Sequence, residues 1–377
     1  MSIDRTKKKI IRIVHVTTSL KVGGAETVLC DLVSRLDPHL FKQHVIYFHE
    51  GPNVDRLAAM GVKLHQVKGL VCRYDPVFCV RLFLLLRTLK PNIIHSLLWS
   101  ANMYCRTFGR LLGIPVLSVL HNNLDQDGIF RNLIDRCTVM LSSNIVAVSD
   151  EVADSLKARD AWIPAARIKT ITNGVDVEAV QERGIQFQHC RYEIGLSDEH
   201  FVIGSVGRFS PVKNYSLLLE SFARVSAAYP LARLVLVGSG PQEQALKNYA
   251  DDLGVRQQVV FIIGQQAYGY YPLFDCFALA SDKEGVSIAL LEALSFGLPA
   301  VVTNTAPHHV VLQSGVNGLV VEAGSVSALA KGLSRLIVST ELRKTLGANG
   351  RTTVERSFNV VGMVNAYEST FLQLCRK

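Results

Sequence analysis

Short runs of apolar, β-branched residues alternate along the chain with longer stretches whose apolar positions recur at helical spacing. The runs predict strands at residues 10–16, 45–48, 63–66, 92–95, 116–120, 145–148 and 168–171. After a polar stretch at 176–200 the rhythm begins again, at 201–206, 233–237, 259–262, 276–279 and 300–302. Such alternation is what right-handed β-α-β units produce when they build a parallel sheet. The expected class is therefore α/β, with two doubly wound domains, residues 1–185 and 190–357. Open sheets of this kind bind ligands at the carboxyl ends of their strands, so two domains facing each other across a cleft would place the chemistry there. A last segment carries Phe358, Val361, Met363, Val364, Tyr367, Phe371 and Leu374 at roughly helical spacing.

Composition narrows the class. With 377 residues, 49% hydrophobic and 19% charged, the chain is neither disordered, nor collagen-like, nor a disulfide-stapled miniprotein. The most apolar stretch, 80–89, is broken by Arg81 and Arg87, so no segment is expected to span a membrane. Residues 1–9 are basic but lack the apolar core of a secretion signal. The cysteines Cys30, Cys72, Cys79, Cys105, Cys137, Cys190, Cys276 and Cys375 are scattered, without a Cys-x-x-Cys pair or clustered histidines. Free thiols in a reducing cytoplasm are the simpler account. Charge is uneven: residues 1–120 hold 17 Lys/Arg against 7 Asp/Glu, whereas residues 191–377 hold 16 against 15. A basic first third attracts phosphates, of nucleic acid or of lipid headgroups, although it can also be a solvated face. Nucleic acid is disfavoured because the excess lacks interleaved aromatics and any recognised motif.

Five constellations lie at expected strand ends. Gly23, Gly24, Ala25 and Glu26 open a helix-like segment, where glycines let backbone approach a ligand and a helix N-terminus offers N–H groups to phosphate; a tight turn reads the same way. Gly207 and Arg208 are followed by Lys213 and Asn214, a fork of donors and a point charge suited to a diphosphate. Gly238, Ser239 and Gly240 end the strand at 233–237, with Glu243 where a Rossmann fingerprint would need its third glycine. Residues 284–299 read EGVSIALLEALSFGLP: Glu284 precedes Gly285, Val286 and Ser287 at a helix start, and Glu292 sits among leucines, where a carboxylate wants a hydroxyl pair or a cation. Finally, His121 and Asn122 follow the strand at 116–120, with Glu26, His95, Trp99, Asp125 and Asp127 as further candidates that spacing does not select among.

Taken in this order, these motifs resemble the retaining GT-B glycosyltransferases of family 4, over nearly the whole chain. GGAE at 23–26, VSD at 148–150, NGVD at 173–176, GRFSPVKN at 207–214, GSGP at 238–241 and the paired glutamates of 284–299 stand where that family has its motifs. The resemblance implies two Rossmann-like domains, acceptor-side first and nucleotide-sugar-binding second, with the helix at 358–377 crossing back onto the first. It implies that Arg208 and Lys213 hold the donor diphosphate and that Glu292 takes the nucleotide ribose hydroxyls. Glu284, with Gly285, Val286 and Ser287, would grip the transferred sugar; Gly207 and Gly238 line the donor. Gly23, Gly24, Glu26 and Asn122 would serve the acceptor side, with Gly24 approaching the diphosphate or acceptor and His121 facing the sugar at the reaction centre. The catalytic set is thus His121, Arg208, Lys213 and Glu284. One departure is that Val286 and Ser287 stand where the family usually has Phe and then Gly or Pro, which bears on donor-sugar choice.

The same resemblance implies a UDP- or GDP-linked sugar donor with no cofactor and no metal. Attack would come from the leaving-group face, with the acceptor proton passing to the departing phosphate. For the acceptor, the basic first domain and the stretch at 77–90 suggest a helix lying on an anionic bilayer. There Arg73, Arg81, Arg87 and Lys90 would stand beside Phe78, Leu82, Phe83 and Leu86. The expectation is a cytoplasmic enzyme, peripheral at the inner membrane face, extending a lipid-linked glycan in cell-surface polysaccharide or lipopolysaccharide assembly. The alternatives are a nucleotide-sugar 2-epimerase of the same fold and a catalytically silent nucleotide-sugar binder.

Overall fold

The computed structural model describes residues 10–69, 75–121 and 129–375. The chain divides into two compact units, Met1–Asn173 with Val360–Lys377, and Gly174–Asn359. In the first unit the order is β1 (Ile11–Ser19), α1 (Gly24–Arg35), β2 (Phe41–His49), α2 (Asn53–Ala59), β3 (Lys63–Gln66), α3 (Pro76–Leu89) and β4 (Ile93–Leu97). It continues with α4 (Trp99–Leu112), β5 (Val116–Leu120), α5 (Ile129–Val139), β6 (Asn144–Ala147), α6 (Asp150–Arg159) and β7 (Ile168–Thr170). The second unit holds α7 (Val177–Gln186), β8 (Phe201–Val206), α8 (Tyr215–Ala228), β9 (Ala232–Gly238), α9 (Glu243–Asp252), β10 (Val259–Ile263) and β11 (Cys276–Leu279). Then come α10 (Ile288–Ser295), β12 (Ala300–Thr303), α11 (Ala306–Val311), β13 (Leu319–Val321), α12 (Val326–Val338) and α13 (Thr340–Ser357). The last helix, α14 (Val360–Cys375), belongs to the first unit.

Both sheets are parallel throughout. The first runs β3-β2-β1-β4-β5-β6-β7 and the second β10-β9-β8-β11-β12-β13. Each therefore has one point where chain order reverses, between β1 and β4 and between β8 and β11. At such a point the connecting segments depart to opposite sides, and the sheet leaves room for a ligand above its strands' carboxyl ends.

Local chemistry explains several boundaries. Asp75 caps α3 by accepting from Val77 N and Phe78 N, and Pro76 fills the first helical position, where a missing N–H costs nothing. Ser149 of the VSD motif and Asp176 of the NGVD motif cap α6 and α7 through Val152 N and Ala179 N. Those two motifs are thus helix starts. Strand β1 runs on to Ser19, beyond the expected end at 16, because Thr17 and Ser19 continue the pairing with Tyr47 and His49 of β2. Strand β13 gave no sequence signal; three residues after Gly318 are too short to show a period. The polar stretch at 176–200 contains α7, whose buried Val177, Val180 and Gly184 are masked in sequence by the charged residues between them.

On one face of the first sheet, Phe78, Leu82 and Leu86 of α3 pack with Val14, Val16, Ile46 and Ile94. This corrects the expected bilayer face of that helix. Phe78, Leu82 and Leu86 are fully buried against the sheet, Phe83 packs edge-on against Phe108, and Arg73 lies outside the described residues. The solvent face of α3 instead carries Val77, Val80 and Leu84 with Arg81 and Arg87. On the opposite face α14 covers His15 and His95 with Tyr367 and Phe371. Glu368 accepts from Asp37 N, and Lys169 donates to Gln373, which ties both flanks of the helix down.

Candidate functional site

In the second unit the site is built where β8 and β11 end side by side, in register at Ile203 and Cys276. From β8 the chain leaves through Gly207 and the exposed Arg208 into the turn Pro211–Lys213. From β11 it leaves through Ser281 to Glu284. Lys213 Nζ forms an ion pair with Glu284 Oε1, which also accepts from Ser281 Oγ at 2.8 Å. Asp282 N donates to Val212 O at 3.0 Å and Asn214 Nδ2 to Asp282 Oδ1 at 2.8 Å, so the two loops are stitched together on either side of the ion pair. Asn214 also caps α8 from a left-handed backbone, φ 44°, that Asn tolerates better than most residues.

Behind this pair runs a buried polar chain. Thr303 Oγ1 donates to Ser281 O at 2.7 Å, and His308 Nδ1 donates to Thr303 O at 2.7 Å. Ser281, Thr303 and His308 are all fully buried. Because His308 gives its Nδ1 proton to a carbonyl, its Nε2 is the bare acceptor, and that atom has no hydrogen-bond partner among the described residues. Burial lowers the His308 pKa, with Glu284 pulling it up and Lys213 pushing it down. None of Ser281, Thr303 and His308 was singled out from sequence. Ser281 alone left a signal, three residues before Glu284.

Gly285, Val286 and Ser287 are buried where α10 begins, and Ser287 caps the helix without using its side chain. The first N–H groups of α10 have no acceptor within the helix, and its dipole adds positive potential at that end. Glu292 lies further along α10, 7% exposed, with Oε2 accepting from Tyr271 Oη at 2.7 Å. The glycine loop has a structural explanation of its own. A Cβ on Gly238 would lie 1.9 Å from Gly207 O and one on Gly240 2.3 Å from Phe209 O, so the loops after β8 and β9 pass backbone against backbone.

In the first unit the corresponding point is between β1 and β4. Ser19 Oγ donates to Glu26 Oε1 at 2.8 Å, and Glu26, buried in the first turn of α1, folds over Gly23, where a Cβ would meet Glu26 Oε2 at 2.5 Å. Gly24, next along, is exposed. Past β4, Leu98 has φ 70° and ψ 155°, a region L-residues rarely enter, and such strain collects at functional positions. His121 follows β5 with Nε2 buried and without a partner among the described residues; burial brings its pKa to about 4. His121 and His95 lie close enough for the charge of one to disfavour that of the other. No hydrogen bond joins His121 to Glu26 among the described residues, and Asn122, Asp125 and Asp127 lie outside them. Among the described residues no group of three or more His, Cys, Asp or Glu is placed to hold a metal ion.

Two parallel doubly wound units are the architecture of the GT-B fold, which glycosyltransferases use. The comparisons agree. Residues 188–353 match the family model described as glycosyl transferases group 1, and residues 22–179 that of glycosyltransferase family 4. The chain is 23% identical over 380 residues to the Escherichia coli UDP-Gal:alpha-D-GlcNAc-diphosphoundecaprenol alpha-1,3-galactosyltransferase, covering 97% of each. It is 25% identical over 268 residues to the N-acetyl-alpha-D-glucosaminyl L-malate synthase of Bacillus anthracis, 70% of this chain and 69% of that one. Among solved structures, HepE of Anabaena in complex with UDP-glucose superposes with a TM-score of 0.85 at 21% identity, over 96% of this chain and 100% of that one. The chain belongs to glycosyltransferase family 4.

Proposed function

We propose that this glycosyltransferase moves a sugar, with retention and without a metal, from a UDP- or GDP-linked donor to a hydroxyl of a lipid-linked glycan in cell-surface polysaccharide assembly. The observation that carries the donor half is the Lys213–Glu284 pair beside the N-terminus of α10, at the reversal point of the second sheet. Arg208, Lys213 and the α10 N–H groups supply the charge that a departing diphosphate needs. Glu284 and the backbone of Gly285, Val286 and Ser287 take hydroxyls of the transferred sugar, and Glu292 takes the ribose. His121 acts at the reaction centre; Gly23, Gly24 and Glu26 serve the acceptor. The acceptor hydroxyl bonds to the anomeric carbon as the phosphate leaves from the same face and receives the hydroxyl proton.

Support for a nucleotide-sugar comes from the Anabaena neighbour, solved with UDP-glucose, and for a lipid-linked acceptor from the Escherichia coli relative, whose name specifies a diphosphoundecaprenol substrate. The test is thermal denaturation with UDP-, GDP- and ADP-sugars, of the protein and of Glu292→Ala. One nucleotide class is expected to raise the melting temperature by several degrees, and the variant to lose that rise. A rise of equal size in the variant would remove Glu292 from the site.

The membrane half rests on the solvent face of α3, where Val77, Val80 and Leu84 are each at least half exposed, beside Arg81, Arg87 and Lys90. Among the described residues no helix is long and apolar enough to cross a membrane, so attachment would be peripheral. The protein is expected to sediment with phosphatidylglycerol vesicles at low salt and to be released at high salt. A Val80→Glu, Leu84→Glu variant should bind several-fold more weakly. Equal sedimentation with neutral and anionic vesicles, or none with either, would contradict this reading.

A further inference from the structure

Tyr271 opens the short turn Tyr271–Leu273 ahead of β11 and is completely buried. Its ring is stacked on Phe296, with centroids 5.4 Å apart and planes at 21°, and it meets Phe274 edge-on at 6.0 Å and Phe277 at 6.1 Å. Aromatic neighbours on three sides pack the ring in place, and a buried phenol needs a partner for its hydroxyl. That partner is Glu292 Oε2 at 2.7 Å; the same hydroxyl lies 3.3 Å from Ala289 O, one turn earlier in α10. Burial and the adjacent carboxylate hold the phenol pKa well above its usual value, so the group is a hydrogen-bond donor throughout the neutral range.

We infer that Tyr271 is a positioning residue of the nucleotide site, pinning one oxygen of Glu292 so that the carboxylate presents a fixed edge to the vicinal hydroxyls of the donor ribose. The inference rests on the reading of Glu292 as the ribose acceptor. A glutamate has three side-chain torsions, and a planar carboxylate reads a diol well only when its rotation about the last bond is fixed beforehand. A phenol held among Phe274, Phe277 and Phe296 supplies such a restraint. The arrangement also explains how a carboxylate persists among leucines, since Tyr271 supplies a donor inside the protein before any ligand arrives.

The experiment measures binding alone and needs no acceptor. Affinities for UDP and 2′-deoxy-UDP, or for the GDP pair if guanine is the base selected, are determined by calorimetry for the protein, Tyr271→Phe, Glu292→Gln and Glu292→Ala. Tyr271→Phe keeps the ring packing and removes only the hydroxyl. The unaltered protein should prefer the ribonucleotide at least tenfold, Glu292→Ala should lose that preference, and Tyr271→Phe should cut it at least threefold. A purely structural tyrosine would lower the melting temperature and leave the ribo/deoxy ratio intact. If Glu292→Ala loses the preference while Tyr271→Phe retains it in full, Tyr271 is a packing residue and the inference fails. If Glu292→Ala itself retains the preference, the ribose reading fails first. Glu292→Gln keeps an oxygen for the tyrosine and guards against a misfolded alanine variant; it should fall between the protein and Glu292→Ala.

Discussion

Lys213→Ala is expected to slow sugar transfer by roughly 10²-fold or more, the effect seen when one charge-stabilising group is removed from a developing oxyanion. The pair it forms with Glu284 makes the result more specific than a lost charge. Lys213 and Glu284 are both largely buried, with side chains 17% and 11% exposed, and Ser281 also donates to Glu284 Oε1. Removing the ammonium leaves the carboxylate short of a partner and free to leave the sugar site. Removing the carboxylate, as in Glu284→Gln, frees the ammonium for the diphosphate but takes away a grip on the sugar. The two changes therefore act on one unit, and the double variant should be no more than about threefold slower than the worse single one. Steady-state rates of the four proteins, with donor and acceptor saturating, measure this. Multiplying defects in the double variant would mean that the two side chains serve independent steps, and a Lys213→Ala enzyme within twofold of the parent would remove Lys213 from the charge-stabilising role. Arg208, exposed and outside the pair, should show a similar loss of rate without that coupling.

How far the sequence led is visible in these same residues. Strand positions were readable because buried parallel strands are continuous apolar runs, and residues 116–120, 201–206 and 276–279 match β5, β8 and β11 to the residue. Lys213 and Glu284 could be named separately, each from its motif, but their direct contact spans 71 positions and depends on β8 and β11 being neighbours, which sheet order decides and local pattern does not. Tyr271 was invisible for a related reason: a tyrosine in a run of aromatic residues gives no period, and its bond to Glu292 crosses 21 positions through a loop and a strand. His308 is one of two adjacent histidines with no motif around it; burial and the carbonyl of Thr303 distinguish it from its exposed neighbour His309. The apolar residues of α3 were legible as a helix and misassigned by face, because Phe78, Leu82 and Leu86 form one stripe and Val77, Val80 and Leu84 another, and composition alone does not say which meets the sheet.

Acidification below about pH 6.5 is expected to destabilise the first unit by an amount on the order of 3 kcal/mol, through His15 and His95 beneath α14. The proton inventory can be worked out from the bonds. Gln43 Nε2 donates to Val33 O at 3.0 Å, which turns its oxygen toward His15; His15 Nε2 donates to that oxygen at 3.2 Å. His15 Nδ1 is then an acceptor, and it takes the proton of His95 Nδ1 at 2.8 Å. That leaves His95 Nε2 unprotonated, buried and without a partner among the described residues. A proton arriving at His95 Nε2 would put a charge where the facing groups are His15, His121, Tyr367 and Phe371, with no carboxylate among them. Burial accordingly brings the His15 pKa from 6.5 to about 4, and holds His95 well below 6.5 with His15 and His121 adding repulsion. Because the folded values lie below the unfolded ones, the unfolded chain binds more protons. The stability is whole above about pH 6.5 and declines as pH falls toward the His15 value of about 4. Melting temperatures between pH 7.5 and 4.5 should therefore drop more steeply for the protein than for His95→Gln, whose side chain can still donate to His15 but does not titrate. Parallel curves would show that His95 contributes nothing to the acid response.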